Sequence, residues 1–120
     1  MKINKINENI AVITSNEKVI IDAQSALDLA MTVKYETECT MIAIDKKIIA
    51  DDFFILSSGM AGEILQKFIN YHFKMAIWGD YSKYISKTLK DFIHESNKGN
   101  DFFFAGTKEQ AIEKLTLTKG

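Results

Sequence analysis

Three short apolar runs, each separated from the next by a stretch of helical periodicity, constrain the fold of this chain most strongly. The runs occupy residues 40–44, 75–78 and 102–104. The first is apolar at nearly every position, which is typical of a strand that is buried on both faces. Strands that alternate with crossover helices predict an α/β fold with a mostly parallel sheet, right-handed connections and helices on both faces.

The first part of the chain adds shorter extended segments at residues 3–6, 10–14 and 18–21. The loops around 10–14 are too short for a crossover, so this strand should pair antiparallel with a neighbour. The runs at 40–44 and 75–78 should be central strands, because they are the most apolar. The full order β-β-β-α-β-α-β-α-β-α predicts a mostly parallel, mixed sheet.

Capping residues and apolar spacing predict the helices. Asp22 is a good N-cap for a first helix that runs to about Tyr35. A long second helix has its apolar stripe within residues 60–68. A third helix carries Ile85 on the same face as Leu89, Phe92 and Ile93. The segment 107–110 has the pattern of a capping box and opens the last helix.

Composition excludes several classes of function. The chain has 120 residues, which fits a single domain over residues 1–120, and its formal net charge is −1. All 15 basic residues are Lys, so bidentate Arg clamps on phosphate or guanine are absent, and neither a nucleic-acid nor a membrane partner is expected. One cysteine, Cys39, and two separated histidines predict no metal centre or other cofactor. A polar beginning and short apolar runs favour a cytoplasmic protein.

An acidic pair, Asp51 and Asp52, precedes the long second helix in the sequence. A carboxylate at a helix N-terminus accepts hydrogen bonds from free backbone N–H groups, so the pair is interpreted first as a helix cap. Asp52 is the preferred capping residue. The alternative is a position that recognises a partner. A metal site made from this pair alone is not expected, because hard cations require further oxygen ligands.

A second group of candidates follows the strand at 75–78. Asp80, Tyr81, Ser82 and Lys83 lie beyond the carboxyl end of a central strand, where open parallel sheets bind ligands. Either these side chains bind a polar ligand, or Asp80 or Ser82 caps the next helix. Glu63 is predicted to lie near the middle of the long helix, between Gly62 and Ile64. It is interpreted as a solvated acid or as a polar contact across a subunit interface.

The chain resembles a bacterial family known as domain of unknown function 4180. The resemblance covers nearly the whole length and implies no particular activity. The matching motifs are Gln24-Ser25-Ala26-Leu27-Asp28-Leu29, Val33-Lys34-Tyr35-Glu36-Thr37, Asp52-Phe53-Phe54, Ala61-Gly62-Glu63-Ile64-Leu65-Gln66-Lys67-Phe68, Gly79-Asp80-Tyr81-Ser82 and Asp91-Phe92-Ile93-His94-Glu95-Ser96-Asn97.

The layout is also similar, at longer range, to STAS domains, the fold of anti-sigma factor antagonists. Those domains place Asp-Ser-Ser-Gly at a helix N-terminus, and Asp51-Asp52-Phe53 falls at that position here, so Asp52 replaces the serine that is phosphorylated in the antagonists. This resemblance implies a non-enzymatic regulatory or protein–protein interaction module with a protein partner. The alternative is a small-ligand binding protein or enzyme at the carboxyl ends of the central strands. A homodimer is a further possibility, because the aromatic residues exceed the needs of one small core.

Overall fold

The computed structural model describes residues 1–118, which form one five-stranded sheet and four α-helices. Short 3-10 turns occupy Lys46–Ile48, Asp51–Phe54 and Leu56–Ser58. The regular elements are β1 (Lys2–Lys5), β2 (Ile10–Thr14), α1 (Ala23–Thr37), β3 (Met41–Asp45), α2 (Met60–Tyr71), β4 (Lys74–Trp78), α3 (Lys87–Lys98), β5 (Phe102–Ala105) and α4 (Lys108–Thr116).

The strands lie side by side in the order of the sequence, β1-β2-β3-β4-β5. β1 pairs antiparallel with β2, and the other three pairings are parallel. The antiparallel pairing of strand 10–14 and the internal positions of strands 40–44 and 75–78 are thereby confirmed. β3 is the central strand, with Ala43 opposite Ala76 in the register of β3 and β4.

Alternate residues of each strand divide the core between the two faces of the sheet. One face, the three-helix face, packs against α1, α2 and Leu89 of α3. The opposite face packs against α4, through Ala111 and Leu115. Ala43 and Ala76 point toward α4, and their short side chains allow the helix to approach the sheet closely. Helices therefore cover both faces, as the strand and helix pattern predicts.

The prediction of a strand at 18–21 was wrong. Only Ile20 makes a bridge, in a parallel direction with Ile49. The segment cannot extend further, because Asp22 starts α1 immediately afterwards. The carboxylate of Asp22 accepts a hydrogen bond from the Ser25 N–H at 2.7 Å, which confirms Asp22 as the N-cap.

The connections differ between the two ends of the parallel strands. At the amino end, helices return to strands through residues 38–40, 72–73 and 99–101. Glu38 and His72 end their helices there in left-handed backbone conformations, with φ of 66° and 64°. At the carboxyl end, much longer connections, 46–59 and 79–86, follow β3 and β4. These two long segments are adjacent in space and contain the candidate site.

Candidate functional site

An open groove of about 690 Å³ lies between the two long carboxyl-end connections and is called the strand-end groove below. One side consists of residues 51–57 and the other of residues 83–89. Most of the groove surface is apolar. Its lining residues are Asp51, Phe54, Ile55, Leu56, Ser57, Lys83, Tyr84, Ile85, Ser86, Thr88 and Leu89.

Stacked aromatic rings join the two sides of the groove. Phe54 and Tyr84 stack with their ring centroids 5.2 Å apart and an interplanar angle of 18°. The Lys46 ammonium lies 4.8 Å from the Tyr84 centroid and 5.5 Å from the Phe54 centroid, within the range of a cation–π interaction. Phe53 is fully buried beneath and contacts Phe54, with centroids 4.9 Å apart. The long connections are therefore anchored to the core.

Two isoleucines protrude from the groove into solvent, one from each side. Ile55 is 54% exposed and Ile85 is 90% exposed. The prediction that Ile85 lies on the buried face of the third helix was wrong. The Ser86 hydroxyl accepts a hydrogen bond from the Leu89 N–H, so α3 begins at Lys87 and Ile85 precedes it. Ser86, a good N-cap residue, indicates this start in the sequence, whereas the apolar spacing of Ile85 and Leu89 suggested an earlier one.

The prediction that Asp52 caps the long helix was also wrong. α2 begins at Met60, and Asp52 lies in the separate 3-10 turn Asp51–Phe54. The carbonyl of Asp52 accepts a hydrogen bond from the Ser58 hydroxyl at 2.7 Å, and the same hydroxyl oxygen accepts the Met60 N–H at 3.2 Å. The N-cap position of α2 is Gly59, which has no side chain to offer, and the Ser58 hydroxyl before it satisfies the Met60 N–H instead. Asp52 is too far away for this, because the connection is longer than the pattern suggested.

Asp51 is the member of the acidic pair that lines the strand-end groove. Its carboxylate lies 3.6 Å from the Lys18 ammonium, while its side chain remains 89% exposed. A pair this open to solvent contributes at most about 1 kcal/mol. Asp51 is therefore free to contact a second charged group from outside the chain.

Asp80, Tyr81 and Ser82 do not converge on one point. Asp80 accepts the Ser82 N–H at 2.8 Å, and the hydroxyl and N–H of Ser82, helped by the charges of Lys46 and Lys83, lower the pKa of the Asp80 carboxyl. The Tyr81 hydroxyl donates to the Ile77 carbonyl at 2.8 Å. Burial raises the pKa of Tyr81 well above its usual range, and neighbouring Tyr84 and Asp45 raise it further. These groups organise the loop, and Ser86, not Asp80 or Ser82, caps the helix.

Glu63 lies away from the strand-end groove, in the exposed first turn of α2. It borders a shallow depression of about 200 Å³ together with Asp22, Asp52 and Ser58. The six candidate residues are therefore divided among the groove, this depression and the 80–82 loop. The groove is also lined by Ile55, which the sequence did not single out, by Ile85, which it placed on a helix face, and by Lys83, which it named beside Asp80 and Ser82.

The winding of the chain explains why the groove is not a deep ligand crevice. α1, α2 and α3 cross over on the same face, and β2 to β5 follow one another without a reversal of order. A switch-point crevice forms where successive crossovers go to opposite faces, so this sheet has none between its parallel strands. The fold and site define an α/β domain with one antiparallel edge strand and an exposed apolar groove at its strand ends.

The particular family follows from a comparison with family models. The model described as "Domain of unknown function (DUF4180)" matches residues 5–115, and the chain belongs to that family. No curated protein and no solved structure shows a significant match. Among residues 1–118, no helix is both long and apolar enough to cross a bilayer. The same residues contain no cluster of three His, Cys, Asp or Glu side chains arranged to hold a metal ion.

Proposed function

We propose that this domain is a non-enzymatic protein–protein interaction module of a STAS-like, regulatory kind, and that the strand-end groove is its binding surface. The exposure of Ile85 beside an apolar groove carries the proposal. Transfer of one isoleucine from water to an apolar contact gains about 1.5–3 kcal/mol. A protein segment that covers the groove would obtain this gain from Ile85 and from Ile55 together.

The order of the elements supports the STAS-like part of the proposal. An apolar strand, a crossover, a helix, a strand, a helix, a short strand and a last helix follow one another from β3 to α4. The resemblance puts the partner-facing position at the N-terminus of the helix after the crossover. Residues 57–59 precede α2 directly, and Ser57 lines the strand-end groove. A bacterial origin is proposed from the family resemblance, and the cytoplasm is proposed as the compartment from the short apolar runs.

The geometry gives less support to an enzyme. The carboxylate of Asp80 and the hydroxyl of Tyr81 are both committed to hydrogen bonds within their own loop. A catalytic constellation needs an acid or base and a nucleophile directed at a common point. Within residues 1–118 the polar candidates face three separate places, so none has such a partner.

A small amphipathic molecule is the second candidate occupant of the groove. The volume of about 690 Å³ lies within the range of small-molecule pockets, and the ammonium groups of Lys46 and Lys83 lie close by. Native mass spectrometry of the purified protein tests this candidate. A bound organic molecule that is retained by the wild type and lost in Ile85→Lys would support it over a protein partner.

The main test compares two isoleucine substitutions at opposite ends of the sheet. Ile85→Lys places a charge at the groove, whereas Ile6→Lys places one at the β1–β2 turn, where Ile6 is also exposed at 49%. Immobilised wild type and both variants are incubated with native lysate, and retained proteins are quantified by mass spectrometry. The proposal expects a protein that wild type and Ile6→Lys retain and Ile85→Lys loses. Equal retention by all three would overturn it.

A further inference from the structure

We propose that the protein which fills the strand-end groove is a second copy of this chain, in a two-fold dimer. This inference rests on the proposed function, because it takes the groove to be a protein-binding surface. It adds the identity of one partner. The argument depends on how apolar and charged side chains are distributed between the two sides of the groove.

Among the residues that line the groove, each side contributes one protruding isoleucine and one charge, and the two charges have opposite signs. The 51–57 side has Ile55 and the Asp51 carboxylate, and the 83–89 side has Ile85 and the Lys83 ammonium. Lys83 makes no ion pair with any residue in the range 1–118. Asp51 keeps most of its surface free beside Lys18. Both charges can therefore accept an outside partner.

A two-fold axis that runs along the groove converts this arrangement into a self-complementary one. Such an axis sets each side of one copy against the other side of its mate. In the proposed dimer, Ile55 pairs with Ile85 of the second copy, and Asp51 pairs with Lys83 of the second copy. Both contacts occur twice, and the stacked Phe54 and Tyr84 rings provide the apolar floor between them.

The two edges of the sheet are poor alternatives for self-association. At the β5 edge, the Asn97 side chain accepts the Phe104 N–H at 2.7 Å and donates to the Phe104 carbonyl at 3.2 Å. It thus occupies backbone groups that an added strand would need. At the β1 edge, Lys2 and Lys5 place charges on the open strand, a common protection against edge pairing. Neither edge therefore offers the open strand that edge-to-edge pairing needs.

Charge reversal tests the dimer by sedimentation equilibrium. Asp51→Lys and Lys83→Asp each place like charges together twice in a symmetric dimer, so each should weaken dimerisation about tenfold or more. The double variant restores opposite charges and should recover most of the affinity. Glu36→Lys, an exposed reversal on α1, is the control that should leave dimerisation unchanged. Each variant is first checked for wild-type helicity.

The outcomes separate this inference from the proposed function. Weakening by both single reversals with recovery in the double variant supports the dimer. A wild type that stays monomeric at every concentration, or a double variant that is weaker than both singles, overturns it. If the wild type is monomeric but Ile85→Lys still loses a lysate protein, the groove binds a different protein and only the dimer fails. If Ile85→Lys affects neither measurement, both proposals fail.

Discussion

The two ends of the parallel strands differ in what their connections do. The amino-end connections have two or three residues each, and the first residue of each donates its backbone N–H to a carbonyl of the preceding helix. His72 ends α2, and Phe73 then packs its ring against Phe68, with centroids 5.8 Å apart. Two of the carboxyl-end connections, 46–59 and 79–86, are several times longer and leave Ile55 and Ile85 in water, whereas residues 106–107 alone join β5 to α4.

This difference indicates how the domain divides scaffold from surface. Short connections, two of which begin at a left-handed helix end, close the helices onto the sheet and have little freedom to vary. Long connections on a rigid sheet are where proteins commonly place binding residues. The carboxyl-end connections are nonetheless anchored, because Phe53 and Leu89 are buried in the core beside them. The groove is therefore a surface with a defined shape.

The largest expected effect comes from removing a buried aromatic ring at either end of the sheet. Phe53→Ala at the carboxyl end and Phe73→Ala at the amino end should each lower the free energy of unfolding by about 3–5 kcal/mol, because both rings are buried. Chemical denaturation measures this loss. Only Phe53→Ala should also release residues 51–57 and abolish binding at the groove. If Phe73→Ala weakens binding as much, the division between the two ends is wrong.

The next largest effect on stability is expected at Gly79, whose backbone lies close to the Lys46 side chain behind the groove. A Cβ at Gly79 would lie 2.7 Å from the Cβ of Lys46 and 3.0 Å from its Cδ. Gly79→Ala should therefore displace Lys46 from the Phe54 and Tyr84 rings and cost about 1–3 kcal/mol. Gly62→Ala is the matched control, since nothing lies within 4 Å of its added Cβ in α2. There the substitution should stabilise by about 0.5–1 kcal/mol, and thermal unfolding distinguishes the signs.

The capping of α2 gives a smaller effect within the carboxyl-end connection. Ser58→Ala removes the hydroxyl that joins the Asp52 carbonyl to the Met60 N–H and should cost about 1 kcal/mol. Asp52→Ala leaves both backbone groups in place and should change stability by less than about 0.5 kcal/mol. Urea denaturation of the two variants provides the comparison. A larger loss for Asp52→Ala would return the capping role to its carboxylate.

The smallest effect belongs to the amino end. His72 has φ of 64°, a conformation that costs a non-glycine residue about 1–2 kcal/mol. His72→Gly relieves this cost but increases the freedom of the unfolded chain, so a net gain of roughly 0.5–1 kcal/mol is expected. His72→Val should be destabilising, because branched side chains strongly resist this conformation. A loss of stability in His72→Gly would show that the imidazole itself makes a stabilising contact.

Much of the fold could be predicted from the sequence because strong local signals agree with the final packing. The apolar runs identified β3, β4 and β5, and Asp22 and Thr107 identified the starts of α1 and α4. The exception was the stretch 18–21, where β-branched residues favour a strand but a single bridge forms. The β-propensity of these residues did not decide the structure, because Asp22 caps α1 directly afterwards and limits how far the segment can extend.

The site was harder to predict because its geometry depends on connection length. Asp51 and Asp52 look like a helix start, and nothing local shows that two further turns precede α2. Ile85 fits the apolar spacing of α3, and only the capping strength of Ser86 places it outside. The groove forms only where residues 51–57 meet residues 83–89. They meet because β3 and β4, the strands that they follow, are neighbours in the sheet. The sequence pattern placed candidates at the carboxyl end of the strands and named Asp51 and Lys83, which line the groove, but it gave no sign of Ile55 or of the exposure of Ile85.

The most direct test of the division between scaffold and surface is hydrogen–deuterium exchange at protein concentrations well below and well above the midpoint of self-association. The account predicts added protection at high concentration in peptides that cover 51–57 and 83–89. It predicts no change in 38–40, 72–73 and 99–101. Protection at the amino-end connections or at β1, or an unchanged groove, would contradict the account.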